Sequence, residues 1–114
     1  MCFYCNCELV VDTPNGEILR DDNRVYYNIR MGNVDYTLAK PHFTRFIQFV
    51  DSLTEDNIID MTNRWSNRII LRQENMMGGY SFDQTEFVEF RTLLREAHEF
   101  LEFEKEVEGL LRRN

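Results

Sequence analysis

The sequence predicts an α+β fold, in which two helices cover one face of an antiparallel sheet of about six strands. Two observations predict it. Segments with alternating apolar residues are twice followed by a segment in which apolar residues recur at intervals of three and four. The second of these helical patterns also continues to the end of the chain, which predicts a long last helix.

The chain has 114 residues, of which 43 % are hydrophobic and 29 % charged, so we expect one globular domain over 1–114. The composition excludes general disorder. The predicted domain divides into an N-terminal hairpin (7–20), a first ββα unit (23–53), a bridging segment (54–66) and a second ββα unit (67–113).

The first hairpin is predicted from two strand-like segments, Glu8–Asp12 and Glu17–Arg20. The turn signal Thr13-Pro14-Asn15-Gly16 separates them.

The two ββα units form an internal repeat. When Asn23 is aligned with Asn67, no gap is needed and further identical residues coincide: Arg24/Arg68, Tyr36/Tyr80, Phe43/Phe87 and Phe46/Phe90. Each unit changes from alternating apolar residues, such as Val25, Tyr27 and Ile29, to helical spacing. We therefore expect a pseudo-twofold relation in which each unit completes the core of the other.

Helix starts are marked by residues suited to them. Pro41 fits a first helical turn, and Asp83 with Glu86 forms a capping-box-like start for the last helix. The bridging segment is predicted to hold a short helix capped by Thr54, followed by Trp65.

The last helix is predicted to be an interface. From Gln84 to Arg112 the chain has no proline, and its apolar pattern extends beyond the length that a small sheet can cover. The alternative is an intramolecular one, with a break near His98 or a frayed end. Trp65, Met76 and Met77 are predicted to add adaptable apolar contacts. The full predicted interface is Phe100, Phe103, Val107, Leu110, Leu111, Trp65, Met76 and Met77.

The formal net charge is −7, with no cluster of lysine and arginine, which disfavours binding to nucleic acid or to an anionic membrane. No apolar run is long enough for a membrane span, and no export signal is recognised. The expected location is therefore the cytoplasm.

Three cysteines, Cys2, Cys5 and Cys7, lie in the stretch MCFYCNC. We expect mainly buried or frayed thiols at the edge of the first strand, and no cofactor. Two alternatives remain open: a zinc site, which needs a fourth ligand from elsewhere, and a redox site. No nucleotide-binding or nucleophile motif is present, and no acid–base pair stands out, so we do not expect an enzyme.

The strand pattern Tyr36-Thr37-Leu38 followed by Phe43 and Phe46 resembles small bacterial domains of unknown function of the Bacteroidetes type, which carry cysteines near the N-terminus. It is similar, more loosely, to one repeat of the Pur domain. That resemblance implies binding of single-stranded nucleic acid on an open sheet face. The residues it would use are Arg24, Tyr26, Arg30, Arg68 and Arg72.

From the sequence we therefore expect a non-catalytic protein-binding module. It would act as a homodimer or as a small subunit of a cytoplasmic complex, with the last helix as its interface. The alternatives are a Pur-like binder of single strands and a metal- or thiol-dependent protein.

Overall fold

The structure is a computed structural model that describes residues 7–72 and 79–112. It is α+β, with six strands and three helices in the described residues. In chain order these are β1 (Cys7–Thr13), β2 (Gly16–Asp21), β3 (Tyr26–Met31), β4 (Val34–Ala39), α1 (Lys40–Asp51), α2 (Glu55–Met61), β5 (Ile69–Leu71), β6 (Tyr80–Phe82) and α3 (Gln84–Arg112).

The six strands are divided between two antiparallel sheets. Strands β1 to β4 pair in sequence order, and β5 pairs with β6 alone. A single sheet is therefore not observed among the described residues. Strands β5 and β6 have three residues each, and within the described residues neither pairs with a strand of the large sheet. The described contacts between β4 and β6 come from side chains: the rings of Tyr36 and Tyr80 lie 5.7 Å apart, and Tyr80 Oη donates to Asp35 O at 3.5 Å.

The first hairpin begins and ends close to its predicted limits. The Thr13 hydroxyl closes the turn, since Oγ1 donates to Gly16 O at 2.9 Å and accepts from Gly16 N at 3.1 Å. Strand β1 contains a bulge at Val10, because Leu9 pairs with Leu19 and Val11 with Ile18. Val25, predicted as a strand residue, precedes β3 and is 46 % exposed, because the Asp21 side chain bends the chain there.

Helices α1 and α3 pack on the same face of the large sheet. Tyr27 stacks on Phe43 of α1 with ring centroids 4.6 Å apart. Arg20, the cross-strand neighbour of Tyr27, bonds to Glu104 of α3. The two helices also contact each other, with the rings of Phe46 and Phe90 edge to face at 6.2 Å.

The predicted helix starts are confirmed at α2 and α3. Thr54 and Asn57 form a complete capping box on α2. Asp83 Oδ1 accepts from Glu86 N at 2.7 Å, and Glu86 Oε1 accepts from Asp83 N at 2.8 Å. The predicted alternative of a break near His98 is wrong, because α3 runs unbroken for 29 residues, about 44 Å.

The contact between the two longer helices is directly testable. Phe46→Ala and Phe90→Ala should each lower the free energy of unfolding by about 3–5 kcal/mol, because each leaves a cavity in the core. In a double-mutant cycle the pair should show a coupling energy of about 0.5–1.5 kcal/mol. Urea denaturation of the four proteins measures it. If the free-energy changes of Phe46→Ala and Phe90→Ala simply add, the contact is contradicted. The control pair is Phe46→Ala with Ile59→Ala, whose free-energy changes should add because Ile59 is exposed.

Candidate interaction surface on the last helix

The position of α3 depends on an ionic cluster around one buried arginine. It is formed by Glu8 of β1, Arg20 of β2, Tyr27 of β3 and Glu104 of α3. The Arg20 side chain is 1 % exposed. Glu8 and Arg20 are cross-strand partners and so share one face of the sheet. The cluster therefore joins three strands to the distal half of the helix.

Arg20 uses its whole guanidinium group. Its Nη1 and Nη2 donate to the two carboxylate oxygens of Glu104, at 2.9 and 2.6 Å, which is the bidentate arrangement. Its Nε donates to Glu8 Oε1 at 2.5 Å, and Nη1 also reaches Tyr27 Oη at 3.4 Å. The guanidinium carbon lies 5.4 Å from the ring centroid of Phe100, within cation–π range.

The cluster shifts the ionisation of both partners. Hydrogen bonding from Arg20 holds the pKa of the Glu104 carboxyl below its usual value, against the opposing effect of burial. The bond to Glu104 raises the pKa of Arg20 above its already high value. Both groups are thus charged at neutral pH, and each compensates the burial of the other.

A second cation reinforces this end of the helix. The Asp21 side chain accepts hydrogen bonds from Val25 N at 2.8 Å and Tyr26 N at 2.9 Å, which shapes the loop between β2 and β3. Arg24 in that loop has a φ of 59° and lies 3.3 Å from Glu108 and 3.7 Å from Glu104. The sheet therefore contacts α3 as far as its last turns.

Because the sheet contacts Glu104 and Glu108, the neighbouring side of the helix faces solvent. Phe103 is 64 % exposed, Val107 37 %, Leu110 61 % and Leu111 69 %. Val107 lies four residues after Phe103, and Leu110 and Leu111 lie three and four residues after Val107, so the four side chains lie along one side of the helix. We call these four residues the apolar stripe.

The other predicted interface residues are not part of the stripe. Phe100 was expected to be exposed, but it is half-buried, because its ring packs beneath Arg20. Trp65 is 97 % exposed, in the loop before β5. Three residues later Arg68 pairs with Glu86 at 3.3 Å, so Trp65 lies near the start of α3, far from the stripe. Met76 and Met77 lie outside the described residues.

The residues suggested for nucleic-acid binding are not gathered on one face. Arg24 pairs with Glu104 and Glu108, Arg30 with Glu17, and Arg68 with Glu86. Glu86 and Glu104 lie about 27 Å apart along the helix, so Arg24 and Arg68 are well separated. Tyr26 and Arg72 are exposed, and Tyr26 shares the outer face of β3 with Arg30.

Of the three cysteines, only Cys7 lies within the described residues, where it is a half-buried free thiol at the start of β1. Cys2 and Cys5 lie outside them, so the zinc and redox alternatives stay predictions. Within residues 7–72 and 79–112, no group of three or more His, Cys, Asp or Glu side chains is placed to hold a metal ion. The same residues include no helix that is long and apolar enough to cross a bilayer.

Comparison of the chain with protein-family models, with curated proteins and with solved structures gives no match. The function is therefore inferred from the residues and their geometry.

Sequence reasoning missed the ionic cluster. In the sequence Arg20 lies at the end of a predicted strand, and Glu104 is one of many glutamates in the last helix, so nothing marks the two as a pair. The signal present in the sequence is an arginine at a position whose neighbour, Ile18, points into the core. An inward arginine requires a buried acid partner.

The cluster predicts a pH-dependent stability. Glu104→Gln should lower the free energy of unfolding by about 2–3 kcal/mol at pH 7, because it removes a charged partner from a buried arginine. A depressed carboxyl pKa stabilises the fold above the pKa of the unfolded chain, and this contribution disappears as the pH falls through the lower, folded value. The difference between wild type and Glu104→Gln should therefore shrink below about pH 4.

Chemical denaturation at pH 7, 5, 4 and 3 measures this difference. Glu102→Gln is the matched control, since Glu102 is an exposed glutamate on the same helix and should change stability by less than about 0.5 kcal/mol. Equal effects of the two substitutions, or a difference that does not vary with pH, would contradict the role given to Glu104.

Proposed function

We propose that this chain is a non-catalytic protein-interaction module, which acts as a homodimer or as a small subunit of a cytoplasmic complex. The observation that carries the proposal is the apolar stripe. Two of its members are leucines and one is a phenylalanine, and all three are more than 60 % exposed on a continuous helix. Exposed apolar side chains grouped in this way usually mark a binding site.

The attachment of α3 supports the same role. A helix that docks with a partner loses less entropy when its position is already fixed. Arg20 and Arg24 hold the distal half of α3 against the sheet. Arg95 of α3 pairs with Asp51, the last residue of α1, at 3.1 Å. The stripe is thus presented on a pre-organised surface.

Two groups with shifted pKa values, Arg20 and Glu104, favour a structural role over catalysis. Perturbed pKa values often mark active sites, but structural ion pairs produce them too. Both carboxylate oxygens of Glu104 accept bonds from Arg20, and Arg20 is almost fully buried. Glu104 lines the groove between α1 and α3, but both of its carboxylate oxygens are occupied by Arg20.

We also infer that the two ββα units are related by a pseudo-twofold axis. Residues beside a twofold axis contact their own equivalents. Two aligned pairs support the inference, since Tyr36 contacts Tyr80 and Phe46 contacts Phe90. Within this arrangement α3 extends beyond its counterpart α1, and the apolar residues of its last turns, from Phe103 onward, are exposed.

The proposal predicts a specific loss of association. Phe103→Glu combined with Val107→Glu should abolish self-association or partner capture, because two charges would be buried in the interface, and should leave the fold intact. Size in solution is measured by light scattering over a range of concentrations, partner capture by affinity purification, and folding by circular dichroism.

The matched control is Ile59→Glu combined with Val88→Glu. Both residues are apolar, and they are 67 % and 65 % exposed, but neither belongs to the stripe. This variant should associate as the wild type does. If size and partner capture are both unchanged in the Phe103/Val107 variant, the stripe is not an interface and the proposal fails.

A further inference from the structure

We propose that the occupant of the apolar stripe is a cationic amphipathic helix of another polypeptide. This inference rests on the proposed function and names the chemistry of the partner. Two properties of the surface carry it, the extent of the apolar stripe and the charge along its edge.

The stripe has the dimensions of a helix-binding surface. From Phe103 to Leu111 it spans about 12 Å along α3, which is little more than two turns. Four side chains are fewer than the 20–30 residues a side of a standard interface between folded proteins. They match the few anchors, spaced over two turns, with which one amphipathic helix recognises another surface.

The open edge of the stripe is acidic. Glu99 lies four residues before Phe103, and Glu106 lies three residues after it, so both are its neighbours on the helix surface. Glu96 extends this edge one turn further towards the N-terminus. All three side chains are exposed, and no residue in the described part of the chain forms an ion pair with them.

Most of the basic residues of this region are engaged with other acids. Arg20 and Arg24 are engaged with Glu104 and Glu108 on the sheet side. Lys105 lines the groove between α3 and α1, together with Lys40 and His98. Lys105 also lines a surface groove with Glu106 and Leu110, while Arg95, four residues before Glu99, pairs with Asp51 at 3.1 Å. The edge of the stripe therefore carries three glutamates against one nearby lysine, Lys105, which pairs with none of them among the described residues.

This charge pattern separates the possible occupants. A second copy would bring the same acidic edge, and a pair of chains would carry twice the net charge of −7. Like charges placed together across an interface disfavour the complex. A helix with leucine-like anchors flanked by lysine or arginine would fill the stripe and pair with Glu96, Glu99 and Glu106.

The test uses two labelled synthetic peptides of 21 residues with identical leucine faces, one flanked by lysine and the other by glutamate. Fluorescence anisotropy measures their binding to the whole chain at low salt and at 0.5 M salt. We expect the lysine peptide to bind at least about tenfold more tightly than the glutamate peptide, and to weaken as salt is added.

Three variants assign the binding to the stripe. Phe103→Ser with Val107→Ser, and Glu96→Gln with Glu99→Gln and Glu106→Gln, should each weaken the lysine peptide at least about tenfold. The control is Asp22→Asn with Asp56→Asn and Asp60→Asn, which changes the net charge equally at exposed acids outside α3 and should have little effect.

The other outcomes overturn the proposal. Equal binding of both peptides, no binding, or equal effects of the two charge variants would reject a cationic partner at this edge. If the wild-type chain is a dimer and Phe103→Ser with Val107→Ser makes it monomeric, the stripe binds a second copy. In that last case the proposed function is kept and only the cationic partner is rejected. If neither peptide binds and the Phe103/Val107 substitutions leave association unchanged, the proposed function and the cationic partner are both rejected.

Discussion

The rest of the structure depends on the bonds of one buried arginine. Arg20 lies on the inner face of the sheet, where the neighbouring positions are apolar, and it bonds to Glu8, Tyr27 and Glu104. An arginine in this place without acids would be strongly destabilising. With them it fixes the rotation of α3 about its own axis, because Glu104 must face the sheet. That rotation directs Phe103, Val107 and Leu110 to solvent.

The same constraint explains why the long helix has two different apolar parts. Its first half packs in the core through residues such as Phe87, Phe90 and Leu94, together with α1. In its second half, Phe100 and Leu101 still pack against the core, but from Phe103 onward the described contacts with the rest of the fold are made by Glu104 and Glu108, and the apolar residues are exposed. The second half is thus attached to the sheet on one side and exposes the apolar stripe on the other, so it can bind a partner. The first half buries its apolar residues in the core.

Much of the architecture follows from local patterns. Alternation predicted the strands, spacing of three and four predicted the helices, and Thr54 and Asp83 marked helix starts that the structure confirms. These features depend on neighbours in sequence, so the sequence displays them. The division into two sheets was not predicted, because it depends on how few residues of β5 and β6 pair, and this is set by distant packing.

The sequence by itself therefore determined the class of fold, the order of its elements and the length of α3, since each arises from periodicity and capping within a few residues. It also determined that the distal helix has more apolar residues than a small sheet can cover. Only the tertiary structure decided which of them are exposed. That choice depends on the contact between Arg20 and Glu104, which are 84 residues apart in the chain. No local pattern encodes such a pairing, because the two residues are brought together only when the sheet and the helix pack.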